Sequence, residues 1–343
     1  MKKIMVPALM TATLAVLASC GGGSGSGSSI PVVPGTPSPS PTPSPSPSPT
    51  PSPTPTPTDP NAEPTLLTLT ADTTLPGFSG DDGYDRKSTG LVFNTLNYSA
   101  SADSPVRYDA ARRGFTFYFS PVFFRHSEDG AFSLARDNAN STASFSQYYG
   151  TAGDNQVRVT QLNPGSSNPT LPLQYCSLVL AKATYVDPTT GAIGVGVEPL
   201  SFGLMYDWDK QTLHGSAVYK GILLGLARGQ GSNHVYDLDG TVEIDLDYDT
   251  SDFTGSIHLT GRDDKSGKVV DLGIIPLKAD PPRGTLDYFY SATTAGDQMQ
   301  SAMAGSKGQE FMGVFDAHMA DPQSPSVTMK IAAAFAAKRS ELL

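Results

Sequence analysis

The stretch from Gly21 to about Pro60 cannot enter a packed core, and this confines folding to the residues C-terminal to it. Beyond Ile30, Val32 and Val33 it carries almost no apolar side chains, so burial cannot offset the chain entropy that ordering would cost. Gly21–Ser29 is Gly/Ser-rich and reads as flexible coil. Pro31–Pro60 largely alternates proline with serine or threonine, a composition that favours the polyproline II helix at about 3.1 Å per residue. Such a tract acts as a semi-rigid spacer several nanometres long. The folding sequence is therefore Asn61–Leu343, long enough for one large domain or two modest ones.

That remainder reads as β-structure. Gly114–Ser120 alternates phenylalanine with threonine and tyrosine. Leu171–Leu178 also reads as a strand, with Cys176 as a buried, inert thiol. Eight further segments read as extended: Leu213–Tyr219, Ile222–Arg228, Thr241–Tyr248, Phe253–Gly261, Val269–Pro276, Gly284–Ser291, Glu310–Met319 and Ser326–Ala337. Many are separated by short Gly, Asp or Asn clusters, and the Gly229–Asn233 cluster suits a hairpin loop. Eight antiparallel strands are enough for a small closed barrel. The clearest is Val242–Asp249. Its period of two sets Val242, Ile244, Leu246 and Tyr248 on one face and Glu243, Asp245, Asp247 and Asp249 on the other. Alternate carboxylates on one strand stand about 7 Å apart, wide for sharing one cation, so the acidic face is expected to be solvated. The alanine run near the C-terminus suits a helix by propensity, but small residues equally fill the crowded side of a barrel.

The start of the chain adds a location. Lys2 and Lys3 precede a short apolar run that ends in Leu17-Ala18-Ser19-Cys20. A basic start, a short apolar stretch and small residues at a cleavage point make a secretory signal. The run is too short to span a bilayer and is interrupted by Pro7, Thr11 and Thr13. Small residues ending on a cysteine resemble a bacterial lipoprotein signal. That resemblance implies a diacylglyceryl group on the Cys20 thiol, cleavage before Cys20 and a third acyl chain on the freed amine. At about 0.8 kcal/mol per buried methylene, two or three such chains anchor a protein firmly. With Cys20 lipidated, Cys176 has no disulfide partner. Removing Lys2 and Lys3 takes the net charge from −10 to −12, which argues against a basic nucleic-acid-binding surface.

Four pieces of the strand-rich region resemble the barrel module of transferrin-binding protein B-like surface lipoproteins. They are Gly215–Gly221, the hairpin from Gly240 to Gly255, Glu310–Phe315 and the terminal Ala334–Arg339, in which Ala336 stands where the family pattern has glycine. The segment from Leu162 to Tyr175 resembles the part that precedes the barrel. The resemblance implies a mainly β lobe, a strand-rich handle subdomain followed by an eight-stranded antiparallel β-barrel. The chain then divides into a signal at 1–19, lipidated Cys20 with its spacer over 20–62, the handle over 63–205 and the barrel over 206–343. The resemblance also implies an outer-membrane, cell-surface location and a ligand-binding role. The expected partners are the membrane, through the anchor, an extracellular protein or an iron- or haem-bearing ligand, and a TonB-dependent transporter. The chain is short for the two-lobed transferrin receptor, so a partner other than transferrin is expected. The matching motifs are barrel framework and assign no ligand-reading loop.

No catalytic, cofactor-binding or metal site is expected from the residues. Gly77-Phe78-Ser79-Gly80 has Asp81 where a nucleophile elbow needs its second glycine, and reads as a turn. His126, His214, His234, His258 and His318 are scattered, with none at metal-ligand spacing from another histidine or cysteine. Asp237-Leu238-Asp239-Gly240 lacks the spacing of a calcium loop. Asp207-Trp208-Asp209 sets two carboxylates beside the only tryptophan, and packing of Trp208 between handle and barrel is the expected role. Two function classes remain open. A binding module predicts aromatic residues on exposed loop tips around a filled barrel. A structural or adhesive envelope protein predicts polar, featureless tips. An enzyme would need convergent polar groups in a roomy pocket.

Overall fold

Alternating side chains and short polar turns build three antiparallel sheets and, among the described residues, no helix. The structure is a computed structural model that describes residues 62–85, 95–99, 106–119, 134–152, 155–186, 193–207, 213–229, 234–250, 252–278, 289–291 and 297–340. All of them lie in one unit, Thr58–Leu343. The signal, Cys20 and the spacer lie outside the described residues, as do His126 and Trp208.

The first half contributes β1 (Thr73–Leu75), β2 (Gly77–Asp85), β3 (Thr95–Ser99), β4 (Val106–Asp109), β5 (Gly114–Phe117), β6 (Leu134–Arg136), β7 (Phe145–Ala152), β8 (Asn155–Leu162), β9 (Cys176–Val186) and β10 (Ile193–Gly203). They form a seven-stranded sheet in the order β3-β2-β10-β9-β8-β7-β6 and a three-stranded sheet in the order β1-β4-β5. Phe202 of β10 meets Phe115 and Phe117 edge-on at 5.3 and 5.9 Å between centroids, which seats the small sheet on the large one. The second half contributes β11 (Ser216–Gly229), β12 (Val235–Asp247), β13 (Phe253–Asp263), β14 (Val269–Lys278), β15 (Phe289–Ser291), β16 (Gln298–Ala304), β17 (Glu310–Asp321) and β18 (Ser324–Arg339). These form one eight-stranded sheet in the order β14-β13-β12-β11-β18-β17-β16-β15.

The larger sheet curls around its own core. Ile275 and Leu277 of β14, at one end, share a buried cluster and line one small cavity with Met299 of β16 and Phe315 of β17, near the other. The terminal strands β14 and β15 share no ladder among the described residues. The interior is filled by Tyr219, Tyr236, Phe253, Phe311 and Phe335, all fully buried. Polar networks close it at two places. Tyr219 donates to the Gly308 carbonyl at 2.6 Å and lies 2.8 Å from the Tyr248 hydroxyl. Tyr236 donates to Asp321 at 2.9 Å and accepts from Gln323 at 3.0 Å. Burial raises both Tyr219 and Tyr236 far above the usual phenol range, so both hydroxyls keep their protons.

Several sequence expectations change here. Leu213–Tyr219 and Ile222–Arg228 are not two strands: residues 216–229 run as one, β11. Gly221 does not break the strand but lets β18 approach, since a Cβ there would lie 2.0 Å from the Ala336 carbonyl oxygen. The segment 298–304, absent from the eight expected segments, is strand β16. The total stays at eight because one strand merges and another appears. Gly77–Gly80 is no turn but the start of β2, with Phe78 fully buried. Leu171–Tyr175 is irregular, and the strand starts only at Cys176. The alanine-rich end is strand, as expected for Ser326–Ala337. Ala333, Phe335 and Ala337 face the barrel interior, while Ala334 and Ala336 pack into the core shared with the handle.

Candidate functional site

A strand buried on both faces needs apolar residues on both, and this is why β11, β17 and β18 lose their polar alternation where the handle covers them. Leu224, Leu226, Met312, Val314, Ala334 and Ala336 join the same buried cluster as Val179 and Leu200 of the handle. One carboxylate fastens the contact. Glu310, at the start of β17, is buried and accepts the backbone N–H groups of Gln174, Tyr175 and Cys176 at 2.6, 2.8 and 2.9 Å. Burial pushes Glu310 above the usual carboxylate range, and the three N–H donors pull it back only in part. The same burial, with Glu310 beside it, raises the Cys176 thiol well above its ordinary value and makes it a poor nucleophile. Next to this lock, Glu63 accepts from the Ser306 amide, from the Tyr175 hydroxyl at 3.0 Å and from the Gln309 amide at 3.2 Å. Tyr175 is pushed up to about 12, by burial first and by Glu63 second. The glutamate of the Glu310–Phe315 motif is thus a framework residue.

Between the same two sheets lies an open groove of about 490 Å3. Its handle wall carries Asp137, Asn140, Gln147, Tyr148, Arg158, Thr160 and Lys182, with Asp137 held by Asn140 at 2.6 Å, and its barrel wall carries Asp237 and Asp239. Arg158 and Lys182 are directly opposed in the β8–β9 ladder, so they share one face. Asp237 and Asp239 share a face of β12 by the strand period of two. Lys182 pairs with Asp237 across the groove. The side chains of Arg158 and Asp239 have no hydrogen-bond partner among the described residues. Burial raises Asp239, Arg262 offsets this in part, and Asp237 adds to it. Gln147 and Thr160 bond each other at 2.9 Å, and the Tyr148 hydroxyl reaches Gln161 at 3.2 Å.

The acidic strand is as the alternation predicts. Val242, Ile244, Leu246 and Tyr248 are buried, while Glu243 and Asp245 face out, with Lys220 3.1 Å from Glu243. Four histidines each meet one aspartate: His214 with Asp249, His234 with Asp263, His258 with Asp271 and His318 with Asp297, at 2.8, 2.9, 3.0 and 2.9 Å. The pairs are separate, and no three metal-ligating side chains gather among the described residues. The described barrel tips at Asp249 and Thr250, Asp264–Lys268, Gly305–Gln309 and Pro322–Gln323 are polar, without aromatic residues. The large apolar side chains that are exposed lie elsewhere, among them Ile274 on β14, Leu67 near the start of the lobe and Tyr149 on β7.

No family model matches the chain, and no curated protein matches it. Among solved structures it is similar to transferrin binding protein B. A double mutant of that vaccine antigen from Haemophilus parasuis Hp5 is 12% identical over 72% of this chain and 48% of its own, with a TM-score of 0.36. Intact Ap-TbpB, with N and C lobes, is 14% identical over 72% of this chain and 49% of its own, at 0.35. The isotype 1 protein from serogroup B Neisseria meningitidis is 15% identical over 76% and 44%, also at 0.35. The chain spans about half the length of the structures it matches.

Proposed function

We propose that this chain is a lipid-anchored binding protein of the outer-membrane surface. Cys20 carries the anchor, the proline-rich tract holds the lobe away from the membrane, and the lobe captures an extracellular protein or an iron- or haem-bearing ligand without chemical turnover. The supporting observation is the filled barrel: aromatic side chains occupy its interior, which leaves the outer surface and the handle–barrel groove for a ligand. The solved structures it resembles are of proteins named for binding transferrin. This chain spans half their length, and transferrin is not proposed as its partner. Hand-over of the ligand to a TonB-dependent transporter belongs to the same proposal.

The test has two parts. Labelled palmitate should enter the wild-type chain and not Cys20→Ala, which should leave the membrane fraction; label in that variant refutes lipidation at Cys20. Protease added to intact cells should remove the lobe, and full protection would place it inside. Pull-down from host fluid, beside a haem titration, then asks for a ligand. A second reading, an adhesive or structural envelope lipoprotein without a small ligand, is favoured by the polar barrel tips. It predicts no haem binding and a loss of cell adhesion or envelope integrity when the chain is deleted.

A further inference from the structure

The groove between handle and barrel holds one cross-sheet ion pair and two further charges, Arg158 and Asp239, whose side chains make no hydrogen bond to a described residue. Arg158 and Lys182 stand side by side on the handle wall, and Asp237 and Asp239 stand two residues apart on the barrel wall. Lys182 reaches Asp237. The side chains of Arg158 and Asp239 make no hydrogen bond to any described residue, although Asp137 lies in the field of Arg158 and Asp239 in that of Arg262. A guanidinium is a planar donor fork suited to a carboxylate, and a carboxylate accepts equally well from an ammonium or guanidinium. The groove that both line, about 490 Å3, is roomy enough for a pair of extended side chains and the backbone between them. Around the two charges, Gln147, Tyr148 and Thr160 already satisfy one another or Gln161, so they shape the groove without competing for a ligand's charges.

We propose that this groove receives a polypeptide segment carrying one acidic and one basic side chain, the acid on Arg158 and the base on Asp239. The proposal rests on the binding reading above and names the site and the chemistry of its partner. A ligand of a single charge would answer only one of Arg158 and Asp239, whereas a segment with both charges meets each with its opposite, Asp137 being already engaged by Asn140. Asp237 stays engaged by Lys182, which keeps a second acceptor from drawing the base away from Asp239.

The test is equilibrium dialysis of the full chain, solubilised in non-ionic detergent, against radiolabelled acetyl-Lys-Gly-Gly-Glu-amide. Saturable binding is expected, with the neutral acetyl-Gln-Gly-Gly-Gln-amide excluded. Arg158→Gln and Asp239→Asn should each weaken it by at least about fivefold. The double reversal Arg158→Glu with Asp239→Lys should restore it, because the peptide can lie the opposite way. Both side chains lie outside the packed core, Arg158 exposed and Asp239 partly shielded by the groove, and unchanged circular dichroism confirms that the variants fold. Absent saturable binding, or single variants that bind as wild type does, would overturn the proposal. Host-protein capture by intact cells that survives in both single variants would also overturn the groove, while leaving the binding reading standing.

Discussion

Asp263, buried at the end of β13, closes a turn with one side chain. It accepts the N–H groups of Ser266 and Lys265 at 2.7 and 3.2 Å and the Ser266 hydroxyl at 2.8 Å, and it lies 2.9 Å from His234. These contacts, His234 first and the Ser266 amide next, hold its carboxyl far below the ordinary value of 3.8. A depressed carboxylate stabilises the fold above its unfolded value, and that contribution fades as pH falls through the folded one. Asp263→Asn should therefore lower the urea midpoint at pH 7. The gap to wild type should stay constant above about pH 5 and narrow steadily below about pH 3.8, as urea titrations from pH 2 to 7 would show. A gap constant with pH would deny the charge any part in the turn. Glu310 and Asp316, both buried, run the other way: burial raises each, so the stability linked to their protonation is present below the unfolded value and lost as pH rises through the folded one.

At the scale of the element, legibility depends on what each strand face meets. β12 can be read directly because one face is oily and the other wet, which writes a period of two into the sequence. β16 is hidden for the opposite reason. Met299 and Met303 face the barrel core, but Ala302 and Ala304 face the handle, so the segment shows no clean alternation and its residues are ordinary helix formers. β2 reads as a turn because glycine and aspartate crowd it, yet it is paired on both sides, by β3 and β10. The groove charges were invisible as a set, since β8, β9 and β12 meet only through tertiary packing. The glycines of β11 carry the most local prediction. A Cβ on Gly221 would fall 2.0 Å from the Ala336 oxygen and 2.4 Å from the Ala337 Cα, both backbone atoms that cannot swing aside. Gly221→Ala should cost about 3 kcal/mol or more, because the strands must part. Ala336→Gly only removes a methyl packed against the handle, so it should cost about 1 kcal/mol. Chemical denaturation of the two variants decides this, and equal costs would mean that β11 and β18 are not so closely apposed.

At the scale of the whole lobe, handle and barrel share one core, so they should unfold together. Leu224, Leu226, Met312, Val314, Ala334 and Ala336 of the barrel wall are buried in the same cluster as Phe78, Val179, Leu200 and Phe202 of the handle. A broad apolar contact of this kind couples two subdomains, whereas a small polar one lets them move apart. Glu310 is the directional part of that contact, since three backbone donors of the segment entering β9 converge on one carboxylate of β17. Replacing it by alanine leaves those three N–H groups without their acceptor, at roughly 1 to 3 kcal/mol for each that stays buried. Glu310→Gln keeps one carbonyl oxygen and should lose less. Wild type should show a single calorimetric transition whose van't Hoff and calorimetric enthalpies agree. Glu310→Ala should lower its midpoint and split it, with the tryptophan and far-ultraviolet signals no longer coincident. If the variant melts lower but still in one step, the shared apolar surface alone binds the two sheets and Glu310 contributes stability without governing their coupling. If wild type already melts in two steps, handle and barrel are independent bodies, and a groove lined by both could open without unfolding either.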